Sequence, residues 1–258
     1  MKTKVAASET DPKKAQPKQI IVIKNLCKSF GDNVILNDFN LSIEKGKNVV
    51  VLGKSGSGKS VLIKCIIGLL KPDSGSIEVF GQNVPALEEE ALDELRTKIG
   101  FLFQGNALYD SMTIRENLEF PVRRHWLDIS QEELDKMVIE ALDNVDLEKT
   151  IDMMPSELSG GMLKRVALAR TMILKPEVIL FDEPTTGLDP VTSREIENLI
   201  LALQKKYKTS SIIISHDMTC VKNVSDEVVL LLDGKCYTQG TYEELVSSTD
   251  KNIKQFFQ

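Results

Sequence analysis

The sequence predicts an α/β fold: a mostly parallel sheet covered by helices, preceded by an antiparallel β layer and interrupted by an inserted helical lobe. Three observations carry this reading. The runs at 49–52, 178–181, 212–214 and 228–232 are apolar throughout instead of alternating, as strands buried on both faces are. Helical periodicity separates these runs, which is the order of strand–helix–strand units. Between the first run and Val61, Leu62 and Ile63 lies a glycine loop, Gly53, Lys54, Ser55, Gly56, Ser57, Gly58, Lys59 and Ser60.

Composition bounds the rest. The chain has 258 residues, 42% hydrophobic and 27% charged, the balance of a globular protein with a sizeable core. No apolar run approaches the roughly 18 residues of a membrane helix. A formal charge of −6 argues against nonspecific nucleic-acid binding. Cys27, Cys65, Cys220 and Cys236 lack C-x-x-C spacing and read as buried thiols, not as a zinc site or a disulfide framework. Residues 1–19 mix five lysines with Glu9, Asp11, Pro12 and Pro17. They lack the apolar centre of a signal peptide and read as a flexible arm, solvated or touching an anionic bilayer.

Order is expected from Ile20. A Gly31-Asp32 turn and the alternation of Phe39, Leu41 and Ile43 predict an antiparallel sheet. After the glycine loop a helix is expected to run to about Leu70, stopped by Pro72 and Gly75. Ile77, Val79 and Phe80 suggest a short strand ended at Gly81, and Glu88, Glu89 and Glu90 an exposed face. Beyond a strand at 99–103 the pattern turns helical. Thr113 with Glu116 and Ser130 with Glu133 fit capping boxes, and Leu134, Met137, Val138, Ala141, Leu142 and Val145 share one helical face. The lobe is placed at 104–167, and the body at 20–103 and 168–258. A helix then carries Ile196, Leu199, Ile200 and Leu203 on one side, Asp233-Gly234 reads as a hairpin turn, and a final helix is capped by Thr241 with Glu244. Ile253, Phe256 and Phe257 are spaced to pack on the body.

The chemistry follows from spacing. Residues 53–60 fit the phosphate-binding pattern G-x-x-x-x-G-K-[ST] between strand and helix. Glycines let the loop backbone wrap an anion, and the helix start adds free N–H groups and its dipole. Lys59 would reach the β- and γ-phosphates, and Ser60 would offer its hydroxyl to Mg²⁺. Asp182 and Glu183 follow an apolar strand, where such sheets bind ligands. Asp182 would help hold Mg²⁺, and Glu183 would polarise the water attacking the γ-phosphate. Ser159, Gly160 and Gly161 open another helix and form a second anion site. One γ-phosphate needs one loop per side, so the economical reading is that this site serves ATP on another copy.

With these stations the chain resembles the ATP-binding-cassette ATPases from about Ile20 to its end. The resemblance implies a P-loop, RecA-like core and ATP hydrolysis coupled to transport. It implies that Phe30 stacks on adenine, that Gln104 contacts Mg²⁺ and the attacking water, and that Ser159, Gly160 and Gly161 close over the opposite subunit's ATP. It further implies that Asp189 links the two sites and that His216 contacts the γ-phosphate. The partners implied are a second copy in head-to-tail arrangement and an integral membrane permease, with the chain peripheral on the cytoplasmic face of the inner membrane. Met162 stands where the signature usually has glutamine. That departure and residues 105–113 look like the ATPases of Mla/Mce-type phospholipid transporters, which would add MCE-domain and small accessory proteins. A solute importer ATPase shares every catalytic motif. A DNA-repair cassette would need a long coiled coil between residues 60 and 159, where sustained heptads are missing. A translation cassette would need two cassettes per chain.

Overall fold

The computed structural model describes residues 18–125 and 128–257, so residues 1–17 of the expected arm lie outside the described residues. β1 (Gln19–Phe30) and β2 (Asn33–Glu44) pair antiparallel across Gly31-Asp32, with Phe30 opposite Asn33. β3 (Asn48–Leu52) delivers the glycine loop, and α1 (Lys59–Ile66) follows it. β4 (Ser74–Val79) pairs antiparallel with β1, and β5 (Gln82–Asn83) closes that layer in the order β2-β1-β4-β5. α2 (Glu89–Thr97) leads to β6 (Ile99–Leu102). The lobe comprises α3 (Ile114–His125), α4 (Gln131–Asp143) and α5 (Gly160–Met172). β7 (Val178–Asp182), α6 (Pro190–Tyr207), β8 (Ser210–Ile214), α7 (Met218–Val224) and β9 (Glu227–Leu232) return to the body. β10 (Lys235–Gly240), α8 (Tyr242–Val246) and α9 (Lys251–Phe257) end it.

The second sheet has the order β10-β9-β3-β8-β7-β6, parallel except at the β9–β10 hairpin. Its uninterrupted apolar strands have a direct cause. Val49 and Val51 of β3, Val178 and Leu180 of β7, and Ile212 and Ile214 of β8 join the core shared with the antiparallel layer and α1. Val50, Leu52, Ile179, Phe181 and Ile213 point the other way, into the core under α6 and α7. Successive side chains alternate faces, and both faces are dry. A third core fills the lobe around Leu118, Leu134, Val138 and Leu142. α5 serves two cores: Val166 and Ala169 pack in the lobe, while Ala167, Leu168 and Met172 pack in the body. Among the described residues no helix is long and apolar enough to cross a membrane.

The structure departs from the expected elements in three places. α1 ends at Ile66, before the expected Leu70, because Gly68 turns left-handed at φ +69°. A Cβ there would lie 2.8 Å from Leu92 Cδ1. α2 is a helix that the acidic triplet concealed: the glutamates stay exposed while Leu92 and Leu95 are buried. The single final helix is two. α8 starts from the Thr241–Glu244 capping box, and α9 starts anew where Asp250 Oδ1 accepts from Asn252 N at 2.7 Å and Ile253 N at 3.3 Å. Ile253 is buried, with Phe256 and Phe257 packed on the same core.

Candidate nucleotide site

β3 ends at Leu52, and the loop turns through Gly56 and Gly58, both at positive φ. At Gly58, φ is +102° and a Cβ would approach Ile35 Cγ2 to 2.6 Å, so glycine is required there. Gly58 is also the N-cap of α1 and supplies no side chain to it, leaving first-turn N–H groups for an anion. Lys59 is buried, its Nζ donating to the carbonyls of Gly53 at 2.8 Å and Lys54 at 3.0 Å. Burial lowers its pKa, and the charges of Glu183 and Asp182 oppose that shift. Ser57 Oγ is buried with no partner among the described residues, the kind of group that a ligand oxygen satisfies.

Two carboxylates face this loop, Asp182 from the last position of β7 and Glu183 just after it. Ser60 Oγ donates to Asp182 Oδ1 at 3.2 Å. Desolvation raises the Asp182 pKa, with the Ser60 hydrogen bond working against it. Glu183 sits at φ +53°, held by its N–H donating to Ile214 O at 3.0 Å. A non-glycine residue pays strain in that region, and such strain collects at functional sites. Glu183 Oε2 accepts from Thr186 Oγ1 at 2.9 Å and lies 2.7 Å from His216 Nδ1. The glycine loop, Gln104, Asp182, Glu183 and His216 line one cavity of about 650 Å³. Gln255 and Phe256 of α9 join its wall. Among the described residues no cluster of three or more His, Cys, Asp or Glu could hold a metal. Ser60 with Asp182 nonetheless fits Mg²⁺, which takes one or two protein oxygens and completes its shell with water and phosphate.

The remaining expected residues fall elsewhere. Ser159, Gly160, Gly161 and Asp189 line a separate cavity of about 480 Å³, with Arg165 and Thr192. Ser159 caps α5 by accepting from Met162 N at 3.3 Å. Asp189 caps α6, accepting from Val191 N at 3.0 Å and Thr192 N at 3.1 Å, and bonds to Thr192 Oγ1 hold its pKa down. Phe30 is outside both cavities, 50% exposed on the β1–β2 hairpin, with Lys28 Nζ 5.4 Å from its ring centroid.

Three residues shape the site without having been anticipated. Lys164 Nζ donates to Gln104 O at 2.9 Å, and Arg170 donates to Ala107 O at 2.8 Å and Asn106 O at 3.0 Å. Asn117, fully buried, accepts from Tyr109 N at 2.8 Å and donates to the carbonyls of Tyr109, Met112 and Thr113. These bonds fix the segment that leaves Gln104. A lysine at 164 on the same helical face as Ala167 and Leu168 is the one signal that the sequence offered.

Known proteins resemble this chain over most of its length. Residues 36–186 match the family described as ABC transporter. The intermembrane phospholipid transport system ATP-binding protein MlaF of Haemophilus influenzae is 39% identical over 92% of this chain and 89% of its own length. The probable ribonucleotide transport ATP-binding protein mkl of Mycobacterium leprae is 38% identical over 92% of this chain and 68% of its own. Among solved structures, the post-hydrolysis dimer of the ATP-binding cassette MJ0796 bound to ADP and Pi superposes with a TM-score of 0.78 at 32% identity, covering 86% of this chain and 98% of that one.

Proposed function

The chain belongs to the ABC transporter family and is an ATPase, and from that premise we propose that it powers a phospholipid transport system of the bacterial envelope. The observation that carries this is the 39% identity, across nearly the whole chain, to an intermembrane phospholipid transport ATP-binding protein. Met162 in the signature adds to it. The 38% match to a protein named for ribonucleotide transport supports a second reading, with the same ATPase serving a different cargo.

The working unit is a head-to-tail pair of copies. Its support is that the loop at 53–60 and the Ser159 cap line different cavities of one chain, so each would complete the other's site across an interface. ATP would be held by Lys59 and by the N–H groups of the loop, with Phe30 against adenine. Bound Mg²⁺, held by Ser60, Asp182 and Gln104, would neutralise phosphate charge. Glu183, aimed by Thr186 and His216, would take the proton of the attacking water. His216 would contact the γ-phosphate, and Asp189 would carry the state of one site to the other. A permease would dock between body and lobe, where the exposed rings of Tyr109 and Phe120 lie 4.9 Å apart. The chain would sit on the cytoplasmic face of the inner membrane, with MCE-domain and small accessory proteins completing the system.

The test is to purify the chain with its membrane partner. Phospholipid on the complex and ATP hydrolysis stimulated by that partner are expected. Stimulation by ribonucleotide cargo instead would favour the second reading. Stimulation by DNA or ribosomes, and not by the membrane partner, would sink both.

A further inference from the structure

Gln104 lines the nucleotide cavity, yet its backbone is held from the lobe. Lys164 is 2% exposed on α5, and the acceptor of its Nζ is the carbonyl of Gln104, 60 residues away. Further along the same helix, Arg170 grips the carbonyls of Asn106 and Ala107, two successive residues with φ of 60° and 54°. Those left-handed residues need an external hold. A desolvated ammonium is costly to bury, and an apolar side chain would fill the same space more cheaply. The bond to residue 104 is what the lysine adds. The same helix begins at the Ser159 cap that lines the other cavity.

We propose that Lys164 is a positioning residue that ties the backbone of Gln104 to α5 and so fixes where that glutamine enters the nucleotide cavity. This rests on the role given to Gln104 under Proposed function.

The test is a double-mutant cycle in the full chain with Mg-ATP. Lys164→Met keeps the apolar stem and removes the donor. Turnover is expected to fall about 10- to 100-fold, the scale for a misplaced group at the reacting centre, with the ATP dissociation constant unchanged. In a Gln104→Ala background the same substitution should cost less than about twofold more, because the two act as one. Lys164→Arg, which keeps a cationic donor, should recover part of the loss, and it carries the cycle where Lys164→Met does not fold. Full additivity in the Gln104→Ala background, unchanged turnover, or a loss of ATP affinity matching the loss of turnover overturns the link. Normal turnover in Gln104→Ala alone overturns the role of Gln104 itself, and is read before Lys164 is altered.

Discussion

Glu183→Gln separates chemistry from binding. The side chain is 14% exposed, and its Oε2 accepts from Thr186 Oγ1 at 2.9 Å. A glutamine carbonyl accepts that bond with the same reach, and both residues carry the same strain at φ +53°. Folding stability should therefore stay within about 0.5 kcal/mol of the parent. What disappears is basicity, since an amide cannot take a proton from water. General-base catalysis contributes typically 10²–10⁴-fold, or about 2.7–5.4 kcal/mol of transition-state stabilisation at about 1.36 kcal/mol per decade. The assay pairs equilibrium ATP binding with phosphate release and a thermal melt. Binding and melt should match the parent while phosphate release falls by two to four orders of magnitude. Near-normal hydrolysis would refute the assignment, and so would loss of ATP binding in step with turnover. Glu183→Gly provides the complement: it should also lose turnover but gain stability, by about 1 kcal/mol, from release of the left-handed strain.

Lys59→Ala should weaken ATP binding by at least about 10- to 100-fold, because hydrogen bonds to charged groups contribute about 1.5–3 kcal/mol each. Tight equilibrium binding by that variant would count against the loop as the site. Gly68→Ala should destabilise by at least about 1–2 kcal/mol in urea unfolding, since it places a Cβ at φ +69° and 2.8 Å from Leu92 Cδ1. An unchanged midpoint would mean that α1 does not end there. Burial pushes the Cys65 thiol up to about 11 and the Cys220 thiol up to about 12. The thiolate is the reactive form, so neither should alkylate at about pH 8 until the chain unfolds. Labelling of native Cys220 at the rate of a free thiol would overturn that.

What the sequence made legible was local. The glycine loop, the capping boxes at Ser130 and Thr241, and the apolar strands each depend on residues within a few positions of one another, and the corresponding helices and strands are present. What it hid depends on distance. α2 was missed because its glutamates face solvent and only Leu92 and Leu95 mark the buried side. The end of α1 depends on Gly68 meeting Leu92, which no local pattern shows. Lys164, Arg170 and Asn117 act on backbone carbonyls. A carbonyl carries no residue identity, so the recipients of these bonds cannot be read from side-chain types. The motif residues that line the cavity at the end of β3 were readable because their pattern is short, whereas the bond that holds the backbone of Gln104 was not.

The central position of β3 sets a timetable for the chain's synthesis. β3 lies between β8 and β9, with Asn48 opposite Ser211 and Val50 opposite Val228. At about 5–20 residues per second, translation takes roughly 8–30 seconds to bring out the β8 partner, about 160 residues after β3. Throughout that interval the strand that presents the phosphate loop has neither neighbour. Until β8 and β9 emerge, both edges of this apolar strand are open to mispairing.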